Sequence, residues 1–98
     1  MDERIEDFLD DVLALEDEDD PSVIREGVRR HLAVYEKHFR DAEPNKRMKD
    51  TAVQVCRRLC RARVVKEIPR HKGTSTAEHL KIVLSIIDSA GRYPFYDE

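Results

Sequence analysis

Apolar residues recur at every third or fourth position in four stretches of the chain and almost nowhere in strict alternation, so the pattern predicts helices and no sheet. Ile5, Phe8, Leu9, Val12, Leu13 and Leu15 share one side of a first helix over residues 3–15, whose acidic first turn suits the positive end of a helix dipole. Residues 16–20 are all acidic, and Asp20 followed by Pro21 is an N-cap with proline at the first helical position. A second helix is predicted over 21–42. At about 100° per residue, Ile24, Val28, His31, Leu32, Tyr35, Phe39 and Ala42 form its inner stripe. Arg25, Arg29, Glu36, Lys37 and Arg40 fall on its other face.

Glu43-Pro44-Asn45 ends that helix, because the residue before a proline avoids helical backbone angles. The third helix is predicted over 46–65. Its buried arc is read as Met48, Ala52, Val55, Cys56, Leu59 and Ala62, and its outer arc as Lys46, Arg47, Gln54, Arg57, Arg58 and Arg61. Past Ala62 the register drifts, and Pro69 forbids simple continuation. A fourth helix is predicted over 75–90, with Ser75 and Glu78 forming a capping box and Gly91 as its C-terminal stop. Leu80, Ile82, Val83, Leu84, Ile86, Ile87 and Ala90 cover about 200° of it, more than a one-sided helix needs. The expected fold is a single all-α domain over 1–98, a compact bundle of about four helices. An acidic N-terminal helix and linker (1–20) precede a helical core (21–91) and an aromatic tail (92–98).

Composition changes this picture in one respect. A chain of 98 residues holds one core, and with 40% charged residues that core needs a heavily solvated exterior. The net charge of −3 hides a segregation. Residues 1–20 carry eleven acids against Arg4, whereas 46–72 carry ten Lys and Arg against Asp50 and Glu67. The acidic run 16–20 can be read as a solvated linker, or as a screen folded across the basic face. No apolar run approaches the roughly 18 residues of a membrane span, and the acidic start does not read as a secretory signal. With two cysteines and no disulfide framework, the expected setting is a reducing cytoplasm; twelve Arg to six Lys suits a GC-rich bacterial genome.

Candidate chemistry is sparse. Cys56 and Cys60, four apart, could present two thiolates to a metal, but the simpler reading is two small core residues. His31 and His38 are seven apart, about 10 Å along a helix, too far for one metal ion. His79 falls within an apolar arc and reads as a neutral histidine with one hydrogen-bond partner. No phosphate loop, nucleophile elbow or framed carboxylate pair is present, so no enzyme and no cofactor are expected.

The expected function is therefore binding of another protein, including self-association into a homodimer through the broad apolar face of the fourth helix. The alternative is a nucleic-acid-binding accessory protein. It would use Lys46, Arg47, Arg57, Arg58 and Arg61 on the third helix with Arg70 and Lys72 in the loop 66–73, beside helix-terminal N–H groups that suit phosphate. Against it stands the absence of aromatics on that face for stacking bases. A metal- or redox-dependent role through Cys56 and Cys60 ranks third. The tail, with Tyr93, Phe95 and Tyr96, reads either as a segment docked on its own bundle or as a recognition peptide.

Overall fold

A computed structural model of the chain describes residues 2–89; the readings for the tail and for the helix stop at Gly91 lie outside the described residues. Four helices and one short 3-10 turn make up the described part, and no strand occurs among the described residues. Helix α1 spans Glu3–Leu13, α2 Pro21–Asp41, α3 Lys46–Glu67 and α4 Ser75–Ser89. The caps explain the starts. Asp2, Asp20 and Asn45 each accept a 2.9 Å hydrogen bond from the backbone N–H two residues on, satisfying a donor the helix leaves open.

The ends differ from expectation in instructive ways. Helix α1 stops at Leu13: Ala14 still bonds four residues back to Asp10, but Leu15 then bonds to Val12 and Glu16 to Leu13, three back, tightening the chain into a turn. That turn swings Leu15 onto Gly27 of α2, where a Cβ would stand only 2.9 Å from Leu15 Cδ1. Helix α3 runs on to Glu67, and Ile68–His71 forms the 3-10 turn around Pro69. The cap of α4 is Thr74, one residue before the predicted Ser75: its hydroxyl accepts from Ala77 N–H, while the Glu78 carboxylate accepts from Lys81 instead of returning to the cap. Gly73 sets this up, with φ of +80° turning the chain into the helix. Nothing lies within 4 Å of where a Cβ would sit, so Gly73→Ala carries only the conformational penalty. It should lower unfolding stability by about 1–2 kcal/mol in urea titrations.

Helices α1 and α2 zip together in opposite directions. Arg4 stacks over Phe39, Phe8 meets Tyr35 edge-on, Asp11 faces His31, and Leu15 seats on Gly27. The two residue numbers in each pair sum to 42 or 43, the mark of an antiparallel ladder. Arg57 opposite Glu36 and Arg61 opposite Asp88 set α3 against α2 and α4 in the same sense. The result is an up-down-up-down bundle in which every helix touches the other three. Phe8, Val12, Val28, Leu32, Cys56, Cys60, Val64, Leu80, Val83 and Ile87 fill its centre.

The buried face of α3 is not the one its hydrophobicity suggests. Val53, Cys56, Cys60, Arg63, Val64 and Glu67 face inward, whereas Met48, Val55 and Leu59 are 47%, 39% and 42% exposed, with Ala62 also on the surface. The core-facing arc is therefore rotated by about a quarter turn. Two of its six members are charged, and they satisfy each other: Arg63 donates to Glu67 one turn on, at 2.8 Å. On α2, Glu36 is buried instead of solvent-facing, and Ala42 is exposed. Helix α4 buries Ala77, His79, Leu80, Val83, Ile86 and Ile87 against the other three helices, while Ile82 of its predicted apolar arc is a large exposed hydrophobic.

Candidate docking surface on α3

The basic residues singled out in the sequence do not form one open patch. Arg57 donates from Nε to the buried Glu36 carboxylate at 2.9 Å, and Arg61 grips Asp88 at 2.7 and 3.4 Å. Arg70 lies 3.5 Å from Glu67. Lys46, Arg47, Arg58 and Lys72 are exposed, but Lys46 opens α3, a helix of 22 residues about 33 Å long, and Lys72 lies beyond its other end, after the 3-10 turn. Among the described residues, the carboxylates that pair with α3 come from Glu6, Glu36, Glu67 and Asp88, while residues 17–20 of the acidic run stand exposed in the turn before α2.

Glu67 is the polar centre of the molecule. It accepts from Arg63 at 2.8 Å and from His71 Nε2 at 2.9 Å, and Arg63 also reaches Glu6 on α1 at 2.7 and 3.1 Å. The His71 hydrogen bond, with help from Arg63, holds the Glu67 carboxyl below the ordinary glutamate range against the opposing effect of burial. A lowered folded-state pKa means stability present above the unfolded value of about 4.5 and lost as pH falls through the folded value. Glu67→Gln should therefore cost about 1.5 kcal/mol at neutral pH and flatten the acid limb of a stability–pH curve measured by urea unfolding.

The other candidates resolve as structure. Cys56 and Cys60 are fully buried, and the Cys60 thiol is pushed far above its ordinary range by its hydrogen bond with Cys56 and by burial, the reverse of a reactive thiolate. Among the described residues, no group of three or more His, Cys, Asp or Glu is placed to hold a metal. His79 donates from Nε2 to the Val12 carbonyl at 2.8 Å, which ties α4 to α1. Tyr35 donates to Asp11 at 2.8 Å; burial first, then this bond, raises its phenol pKa, so the hydroxyl serves as a donor.

What stands open is the apolar row on α3. Met48, Ala52, Val55, Leu59 and Ala62 follow one another at steps of four, three, four and three, the spacing of a coiled-coil seam. Asp2 and Ile5 of α1 flank it at Leu59 and Ala62, in a groove of about 270 Å³. Arg4, Phe39 and Glu43 flank it at Met48, Ala52 and Val55, in a second of about 280 Å³. Both fall short of the roughly 300–1,000 Å³ usual for enclosed small-molecule sites, and together they form a trough along a helix. The chain matches no family model, no curated protein and no solved structure.

The spacing of Met48, Ala52, Val55, Leu59 and Ala62 points to the core, and the structure leaves Met48, Val55, Leu59 and Ala62 on the surface. Glu36 is buried and not on the outer face that its spacing suggests, and Arg63 and Glu67 take structural roles that the sequence pattern does not assign. Only their i, i+4 spacing on one helix, for Arg63 and Glu67, signalled a pair.

Proposed function

We propose that the protein works by docking another protein on the apolar seam of α3. The observation that carries this reading is the exposure of Met48, Val55 and Leu59 in a seam register on α3. An amphipathic helix laid into such a trough would anchor at positions i, i+3, i+4 and i+7. Because these side chains are already half buried, covering them contributes only about 1 kcal/mol each. Association itself costs roughly 4 kcal/mol or more, so polar and charged contacts must complete the interface. The binding role expected of α4 moves to α3, since α4 leaves only Ile82 widely exposed.

The nucleic-acid reading has less support, because Arg57, Arg61 and Arg70 face carboxylates of the same chain. One comparison tests both readings. Tagged wild-type chain and a Val55→Glu, Leu59→Glu variant are used to capture partners from cells of the source, and the bound protein and nucleic acid are both quantified. Protein capture lost in this variant, and kept in a surface control such as Ile82→Glu, supports the proposal. Capture of nucleic acid that Arg47→Glu with Arg58→Glu abolishes, with salt-sensitive affinity, would replace it.

A further inference from the structure

The seam also says what kind of partner fits. Building on the docking role proposed above, we infer that the occupant is an acidic amphipathic helix contributed by a different protein. Arg58 borders the outer edge of the seam between Val55 and Leu59, and it makes no ion pair among the described residues. Lys66 continues the row four residues after Ala62 and lines the same groove as Leu59. Exposed Arg47 adds charge at the other end. The acids near the seam are fewer and partly committed: Asp2 is bound to Arg4 at 2.8 Å, and Glu43 lies at the Met48 end.

The fold already contains one instance of this recognition. Helix α1 is itself an acidic amphipathic helix, with Ile5, Phe8, Leu9 and Val12 turned inward and Glu6 clamping Arg63 of α3 through two hydrogen bonds. A second such helix beside it would bury the seam and carry carboxylates to Arg58 and Lys66. Spanning Met48 to Ala62 takes about 21 Å, so the partner helix needs about 14 residues with apolar positions at seam spacing.

A second copy of this chain is a poorer occupant. Pairing α3 with α3 brings the exposed Arg47, Arg58 and Lys66 beside one seam up to the same three bases beside the other. The chain's acidic helix has its own apolar face buried at home.

The test uses the full chain and two designed 21-residue helical peptides that share one Leu/Ala seam. One carries Glu at every flanking position, the other Lys. Fluorescence anisotropy should show the Glu peptide binding at least about tenfold more tightly than the Lys peptide. Val55→Glu and Leu59→Glu should each weaken it at least about tenfold with an unchanged thermal midpoint, and Arg58→Glu should shift preference toward the Lys peptide. Equal binding of both peptides, still lost in Val55→Glu, overturns the acidic partner and leaves the docking role standing. No peptide binding, with a dimer that Val55→Glu dissociates, assigns the seam to a second copy. Binding that emerges only after Tyr93, Phe95 and Tyr96 are replaced by Ser assigns it to the chain's own tail. Peptide binding indifferent to Val55→Glu and Leu59→Glu, or none at all by a monomer in every form, overturns both this inference and the docking role.

Discussion

Phe8→Ala is expected to lower the unfolding free energy by about 3–5 kcal/mol, the range for emptying a buried aromatic site. Phe8 is fully buried and meets the Tyr35 ring edge-on, with centroids 6.0 Å apart, at the middle of the α1–α2 ladder. Helix α1 has only 11 residues, fewer than the roughly 12–15 at which an isolated helix becomes even marginally stable in water. It is helical because it is docked, and Phe8 is the centre of the docking. The loss should accordingly extend beyond a local cavity. Amide exchange along α1 should accelerate at once, while α2 and α3 retain protection up to the reduced global stability. For a chain of this size the thermal midpoint should fall by about 12 °C or more, at about 4–8 °C per kcal/mol. A fall of a few degrees, with α1 protected as before, would show that Leu9 and Val12 hold the helix alone.

Arg57→Ala should cost about 3 kcal/mol at neutral pH, near the low end for breaking a buried ion pair. Glu36 is 2% exposed, and burial raises its pKa above the ordinary value, while Arg57 draws it part of the way back. Removing the guanidinium removes that restraint and strands a carboxylate in the core. The sign of the pH dependence follows. A carboxyl with a raised folded-state pKa is more comfortable protonated, so its contribution to stability declines as pH rises from about 4.5 through the folded value. In Arg57→Ala that decline should extend to higher pH, and the variant should recover stability on mild acidification. Glu36→Gln should abolish this component and lose far less stability than Arg57→Ala, because Arg57 retains some access to water. Equal losses in the two variants, each independent of pH, would contradict the assignment. Glu67, whose pKa is lowered, bends the curve the opposite way, so the two carboxylates should be measured in separate variants.

Most of the fold was legible, for reasons that can be traced to single residues. Pro21 behind Asp20, the Glu43-Pro44-Asn45 break and Gly73 are local signals, and local signals fix where helices begin and break. Leu80, Val83, Ile86 and Ile87 of the apolar arc of α4 lie in the core as their spacing implied, although Ile82 of the same arc does not. The orientation of α3 was not legible, because a periodicity reading assigns the most apolar arc to the interior. That assignment fails when the interior face carries a satisfied ion pair. Arg63 and Glu67 read as solvent residues one at a time; only the arrival of Glu6 from 57 positions away makes burying Arg63 tolerable. The candidate site failed in the same step. Met48, Val55 and Leu59 were spent on a core that did not need them, and the basic residues were counted without the distant Glu36 and Asp88 that pair with two of them.

The chain of contacts from Glu6 through Arg63 to Glu67 and His71 has a thermodynamic consequence. It joins the first turn of α1, the last turn of α3 and the turn leading into α4 through shared hydrogen bonds. Energies in such a chain are not additive: once Arg63 is gone, replacing Glu6 or Glu67 should cost much less than in the intact protein. Residues at opposite ends of the sequence thus behave as one unit, and a change at any one link resets the value of the rest.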